Sequence, residues 1–419
     1  MAKRLTRNPG LPADQPTASY WQQPLHSQLA GIQSSSLPEE RDVVIIGSGI
    51  TACSVARELL NAGQGMKLTV LEAREICSGA TGRNGGRINC MAVLDFEKYC
   101  RKFGRQAAIK IVRFELAHFD ELMAAATELG PEEFERSEIR EVGTCAAVFD
   151  DEKLADLQRM LINFEAAFPD LRGRWRIAGA QEVQETFKIP QAKGALIGRA
   201  GAAWPYRLIT SIWSRLLSEH GENITIEANT PATHIRRVNA PDWHPFYFSQ
   251  GFDYLTQNAR SGELFVGGGD IGGEQALMEP LGEASDAEES ITAKAHLAGV
   301  VGVVFGKENT GDPPVMRSSW TGIMANTLDG VPLVGMLPSG TVDRRAGDTK
   351  AAEWISAGYG GYGMVNAWLC GRAVAQMLMG KGVSEWFPDE YVITRERMRR
   401  LRETLEKISG SEMHLKALM

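Results

Sequence analysis

The chain has 419 residues, 43% hydrophobic and 23% charged, long for one core and suited to two interleaved, globular domains. Its net charge of −7 excludes the basic face that nucleic-acid binding needs. No apolar run approaches the roughly 20 residues of a membrane span.

The six cysteines are scattered without a C-x-x-C pair, and no secretory leader is evident, which predicts reduced thiols in a cytoplasmic protein. The histidines lack H-E-x-x-H or Cys/His spacing, so no metal site is expected. The end "HLKALM" is not a peroxisomal address of the S-K-L type.

Residues 1–40, rich in Pro, Gln and Ser, read as an irregular arm whose anchor, "SYW" (Ser19 to Trp21), should pack on the body. "RDVVIIG" predicts a buried parallel strand, "ITACSVARELLNAG" a helix ending at Gly63, and "KLTVLE" the next strand. A long helical stretch follows, broken near Gly104 and closed by Gly130-Pro131. Residues 131–200 mix short strands with the helix "DEKLADLQRMLINFEAAF", and "PYRLITSIWSRLLSEHG" is a helix leading to the strand "ITIEAN". "FDYLTQ" and "GELFVGGG" form a hairpin, and "EESITAKAHLAGVVGVVF" a helix. The last third holds "VMRSSWTGIMANTLDGVPLVG", then "AEWISAGYGGYGMVNAWLCGRAVAQMLMG" with a helix starting near Met364. A helical tail follows whose alternating charges predict a solvated face.

Gly47-Ser48-Gly49-Ile50-Thr51-Ala52 fits G-x-G-x-x-G/A between a strand and a helix. Gly47 permits the tight turn, Gly49 lets backbone approach a pyrophosphate, and Ala52 keeps helix and strand close. Glu72 ends the second strand, placed for ribose hydroxyls, and its charge disfavours a 2′-phosphate. A dinucleotide is expected here, held also by Ala73 and Arg74.

A second loop follows at once: Ser78, Gly79, Ala80, Thr81, Gly82, Arg83, Asn84, Gly85 and Gly86. An NAD enzyme has little need of it. FAD must run further along the protein, and this loop is suited to pass its pyrophosphate and ring, with backbone and guanidinium donors. A flexible linker is the competing reading.

The order "VVIIGSGITA…LE…SGATGRNGG" resembles the D-amino-acid-oxidase-like (DAO) family of FAD-dependent oxidoreductases, especially the amine and amino-acid branch. "SWTGIMANTLDGVPLVG" and "WISAGYGGYGM" before a helix agree with it. The resemblance implies an α/β Rossmann-like FAD-binding domain interleaved with an antiparallel-sheet α+β substrate domain. The first would take residues 41–130, 200–242 and 317–382, and the second 131–199 and 243–316. Residues 383–419 would be the tail.

The resemblance adds Gly330, Gly358, Gly360, Gly361, Tyr362, Gly363 and Met364 to the cofactor residues, the last run aiming a helix start at the flavin. It implies hydride transfer from an amine or amino acid to flavin N5, with oxygen or another acceptor taking the electrons. Tyr254, Arg317, Trp320 and Tyr359 are candidate catalytic residues, with Arg317 placed to pair with a substrate carboxylate or to stand in solvent. Relatives that attach flavin covalently use a His or Cys where this chain reads Gly82-Arg83 and about Gly322, so non-covalent FAD is expected. Where some oxidases place a lysine, this chain has "DIGGEQALM", which leaves oxidase and dehydrogenase open.

The chief departure is "THIRRVNAPDWHPFYFSQGFDYLTQ". In relatives several dozen residues separate its flanks, so a segment near Asn239 is missing, which would expose neighbouring strand edges. A non-catalytic flavoprotein fold is the alternative reading.

Overall fold

The computed structural model describes residues 11–232, 254–258, 260–268, 285–306, 315–338 and 352–417, with side chains to residue 407. The join near Asn239 lies outside them.

Strand β1 (Val43–Ile46) is followed by helix α1 (Ile50–Asn61) and strand β2 (Leu68–Leu71). Next come β3 (Arg87–Ile88), α2 (Ala92–Phe103) and α3 (Arg105–Glu128), broken at Gly104 as the sequence predicts. Pro131 does not only end the stretch. It opens α4 (Pro131–Ser137), because proline at the first helical turn loses no hydrogen bond.

Then follow β4 (Arg140–Val148), α5 (Asp151–Ala167), β5 (Arg176–Gly179), α6 (Ala180–Phe187), β6 (Gly194–Ala202), α7 (Pro205–His220) and β7 (Ile224–Glu227). β4 and β6 are nine residues each, longer than the short strands expected there. Further on lie β8 (Tyr254–Gln257), β9 (Leu264–Gly267), α8 (Ile291–Phe305), β10 (Leu333–Met336), β11 (Trp354–Ala357), α9 (Ala367–Leu378) and α10 (Arg395–Ala417). The helix expected from Met364 starts three residues later, after a 3₁₀ turn at Gly363–Val365.

Two sheets organise these elements. β1, β2 and β7 form a parallel sheet in that order, in register Val43↔Leu68 and Leu68↔Ile224. β4 lies antiparallel along one side of β6, while β3 and β5 pair its other side at opposite ends. β8 and β9 form the expected hairpin, and β10 pairs β11 antiparallel.

Helix α1 packs against both α9 and α7; α7 also meets β7 of the parallel sheet, and α9 meets β10 and β11. The α1–α9 approach is close because Gly371 faces the Thr51 carbonyl, where an added Cβ would sit 2.6 Å away. The Ser54 hydroxyl seals the contact by donating to the Trp368 carbonyl at 2.6 Å. The largest buried rings, Trp213 and Trp368, sit in this layer.

Strand β1 has only β2 as a ladder partner among the described residues. Its Val44 and Ile46 are 53% and 54% exposed, against complete burial of Val70 on β2. Half-exposed β-branched side chains forgo about half of the 1.5–3 kcal/mol that full burial contributes. No described helix is long and apolar enough to cross a membrane.

The arm is anchored where the sequence predicts. Trp21 is buried against Trp204 and Phe265, with ring centroids 5.1 and 4.5 Å away. The tail departs from its predicted solvated face at one residue. Arg397 of α10 is 4% exposed, pairs with Asp329 at 2.7 Å and donates to the carbonyls of Val331, Pro332 and Tyr391.

Removing one partner of such a pair strands the other charge and three acceptors. Arg397→Ala should lower unfolding stability by about 3 kcal/mol in urea titration, and Arg399→Ala, on the exposed face, by under about 0.5 kcal/mol.

Candidate functional site

The site begins at the turn from β1 into α1. Gly47 has φ +98, a conformation L side chains rarely adopt, and open space where a Cβ would stand. That cradle lies at the N-terminus of α1, whose dipole and free N–H groups favour an anion. Ser48 is fully buried and points back, its N–H and hydroxyl both donating to the Glu72 carboxylate, at 3.0 and 2.6 Å. The acid that ends β2 is thus fixed beside the glycine turn.

The second loop closes over the same helix end. Thr81 Oγ1 accepts the Ile50 N–H at 3.0 Å and sits 2.8 Å from an ideal Cβ on Gly49. A hydroxyl accepting there keeps its own O–H to donate onward, so Thr81 extends the helix end toward whatever binds. Asn84 shapes the loop, donating to the Ala80 and Thr81 carbonyls and accepting the Gly86 N–H. The Ser78 hydroxyl is buried without a hydrogen-bond partner, a polar atom a ligand would satisfy.

Arg83 is 6% exposed. Its guanidinium donates to the carbonyls of Ser78, Thr17 and Thr321, at 3.0, 2.7 and 2.9 Å, and lies 3.1 Å from Asp286. Arg74 grips the same Asp286 through both terminal nitrogens. Two guanidinium groups thus share one carboxylate.

The third glycine run meets the first. Tyr359 OH hydrogen-bonds Thr51 Oγ1 at 2.9 Å and Ser356 Oγ at 2.8 Å. Burial pushes the Tyr359 phenol far up, so it is neutral at every physiological pH. Gly358 is backed by Thr327, whose hydroxyl donates to the Val331 carbonyl across the turn containing Gly330. Trp320 donates its indole N–H to the Arg83 carbonyl at 2.9 Å. Tyr254 lies on Gly85, its ring 2.8 Å from an ideal Cβ there.

The predicted residues on the two glycine loops, Glu72, Trp320, Tyr254 and Tyr359 therefore converge. Arg317 does not join them: its side chain is 78% exposed and paired with Glu263 at 2.7 Å.

Beneath the third run lies a buried acid pair that sequence reading missed. Glu115 is 1% exposed, accepting from Tyr99 at 2.9 Å and from the Cys90 thiol at 3.3 Å. Burial first, and then the Asp95 charge, push its carboxyl up to about 7. The same burial, with both acids nearby, raises the Tyr362 phenol. His118 is also fully buried. The Leu369 N–H donates to its Nε2 at 3.2 Å, so the ring proton sits on Nδ1 and faces the Phe114 carbonyl. Burial lowers its pKa to about 4. Only the apolar period of α3 hinted at these positions, and period does not report a polar side chain turned inward.

Residues 42–245 match the family model described as FAD dependent oxidoreductase, DAO. This stretch carries a DAO-type FAD-dependent oxidoreductase domain. FAD is its cofactor, and the open Gly47 cradle, the Glu72 carboxylate, the unpartnered Ser78 hydroxyl and the paired guanidinium groups of Arg74 and Arg83 fit that group.

Among curated proteins, this chain is 23% identical over 384 residues to gamma-glutamylputrescine oxidoreductase of Escherichia coli strain K12, covering 81% of this chain and 84% of the relative. L-proline dehydrogenase from P. horikoshii shares the fold at TM-score 0.59 and 18% identity, covering 85% of this chain and 97% of the other. Glycine oxidase from Geobacillus kaustophilus does so at TM-score 0.59 and 17% identity, over 85% and 98%.

Two outcomes test this geometry. Gly47→Ala forces a side chain into the left-handed region, at roughly 1–3 kcal/mol of strain. FAD content of the purified protein should fall at least about tenfold by absorbance, with the far-UV circular dichroism retained. For Glu115, the folded pKa is raised from 4.5 to about 7, so its contribution is complete below 4.5 and lost as pH rises through 7. His118 runs the other way, losing its contribution as pH falls from 6.5 toward 4. Glu115→Gln should therefore lose less stability than the parent protein between pH 6 and 9, by about 1.4 kcal/mol in chemical denaturation.

Proposed function

We infer that this enzyme oxidises the C–N bond of an amine or amino acid, and that the residues now assembled position the substrate and exclude water. The observation that carries the reading is the meeting of three separate glycine runs: Thr81 on the helix end at Ile50, and Tyr359 on Thr51. Glycines brought together from residues 47, 82 and 358 shape one continuous cradle, as a long dinucleotide needs. The relatives in the comparison are oxidoreductases named for amino acids or a substituted polyamine, which supports a nitrogen-bearing substrate.

When bound, FAD supplies the hydride acceptor at N5, and the protein tunes and positions. Glu72 is the group to hold ribose hydroxyls, and Ser78, Thr81 and the second-loop amides to hold phosphate oxygens. Binding is expected to be non-covalent. Tyr254, Trp320 and Tyr359 offer aromatic walls that keep water from the reacting carbon. Tyr359, neutral and held by two hydroxyls, orients without exchanging protons. Burial raises all six thiols, so none is an activated nucleophile at neutral pH, which suits hydride chemistry. The electrons pass on to oxygen or another acceptor, and the unpaired cysteines suit a cytoplasmic setting.

A second reading, a flavoprotein fold without turnover, draws on the exposed Val44 and Ile46 of β1. The visible spectrum of the purified protein separates the two. Flavin bands that move to the supernatant on acid precipitation, and bleach with an amine or amino acid in the absence of oxygen, are the expected result. A protein colourless even after incubation with FAD sinks the enzyme reading.

A further inference from the structure

The buried acids beneath the third glycine run have so far no task. Glu115 on α3 has no basic side chain within ion-pair distance among the described residues. Its donors are neutral: the Tyr99 hydroxyl, the Cys90 thiol and the Asn366 amide. Asp95 on α2 is 8% exposed, and its Oδ2 is buried without a hydrogen-bond partner. Its ion pair with Lys98 is long, at 3.9 Å. Two buried acids with so little counter-charge are better accommodated with one proton between them than with both ionised.

The pair has a way out on each side. A cavity of about 20 Å³ opens beside Glu115, room for the centre of one water. Cys90 and Val365 line it, with Arg174, Arg199 and Glu141. Arg174 Nε is a buried donor without a partner, so a water there finds a donor in Arg174 and an acceptor in Glu115. Arg199 and Glu141, an exposed ion pair 3.4 Å apart, stand where this route meets solvent. On the other side, Asp95 acts on both Glu115 and the Tyr362 phenol. Tyr362 belongs to the glycine run whose Tyr359 bonds Thr51 at the first nucleotide turn. Cys370 of α9 and Tyr391 also face Glu115, and burial keeps both neutral.

Oxidation of a C–N bond gives this cluster something to carry. As R₂CH–NH₃⁺ becomes R₂C=NH₂⁺, the C–H bond breaks and its electron pair leaves with the hydrogen as hydride. An N–H bond breaks as well, its pair forming the C=N bond, so one proton is released with each hydride. Aromatic walls that keep water out also keep that proton in.

We propose that Glu115 and Asp95 form a proton relay, taking the released proton by way of Tyr362 and passing it through the cavity water to solvent at Arg199 and Glu141. Tyr362 gives its hydroxyl proton to Asp95 as it takes the new one, and so is never charged. A relay carboxyl works best when it titrates near the working pH, and Glu115 is pushed up to about 7. The proposal rests on the reading of the protein as a C–N oxidoreductase.

The test mixes the FAD-loaded full-length protein anaerobically with an amine and amino-acid panel that begins with glycine, L-proline and putrescine. A pH-indicator dye in weak buffer reports proton release while absorbance reports flavin bleaching. In the parent, release should keep pace with bleaching. In Glu115→Gln it should lag behind bleaching by roughly 100-fold, and Glu115→Asp, which retains an acid, should recover most of that loss. Infrared spectroscopy without substrate gives a second readout. The parent should show a carboxylic-acid band that fades as pH passes about 7 and shifts when the flavin is reduced electrochemically, and Glu115→Gln should lack it. Asp95→Asn should move the fading to lower pH, because the Asp95 charge helps to raise Glu115, and this variant carries the test if Glu115→Gln does not fold.

Proton release equal in parent and Glu115→Gln, release and bleaching slowed alike, or no band lost with Glu115 would overturn the proposal. A band that shifts on reduction, in a protein that no amine or amino acid bleaches, leaves the relay standing and fells the oxidoreductase reading. Bleaching by an amine with release indifferent to Glu115 does the reverse.

Discussion

One buried carboxylate holds the cofactor side of this protein together. Asp286, 1% exposed, is gripped by Arg74 from the end of β2 and by Arg83 from the second glycine loop. Through Arg83 the same node reaches Thr17 of the arm and the Thr321 carbonyl, while Thr17 also bonds the Asp286 backbone. Four stretches of chain thus depend on one ion cluster. Buried charges at such a node contribute little net stability, since desolvation offsets the attraction, but leaving one unpaired is heavily penalised. The node accordingly selects one arrangement of the loops more than it deepens the fold.

That selection matters because the loops are mostly glycine, which resists ordering more than any other residue. A cradle of glycines approaches a cofactor closely only if something else fixes its path. Here the fixing groups are polar and sit just behind the glycines: Thr81 behind Gly49, Thr327 behind Gly358, Asn84 across Gly85. The family's glycine spacing describes the surface of the cradle, and these side chains describe its frame.

The parallel sheet, its helices and the dinucleotide turn were legible in the sequence because their signals are local. A β-branched run, a G-x-G-x-x-A turn and an acid ending the next strand lie within residues 43–72, and the DAO resemblance followed from the adjoining loop. What stayed hidden is non-local. Arg87 looks like any other loop arginine until the fold sets it against Thr144 and the Leu255 carbonyl. Arg397 hides among the solvated charges of its own helix, and Glu115 reads as one more polar residue on an amphipathic one. Arg317 drew attention for its charge, and only the strand-end position of Glu263 reveals that the charge is already matched. The domain boundaries and the join near Asn239 follow from resemblance alone, the latter outside the described residues.

The contacts that finish the cradle also set when it can exist. Thr17 bonds Thr321 across 304 residues, Thr51 bonds Tyr359 across 308, and Ser54 bonds Trp368 across 314. A chain leaving the ribosome has made its first nucleotide loop long before the partners of that loop are synthesised. Until then the arm, α1 and the second loop expose apolar surface and wait. Contacts of such separation are slow to form because loop closure comes before any gain from the contact. Assembly of the cofactor cradle is therefore a late event in the life of each new chain, and the interval before it is when a chaperone would have most to protect.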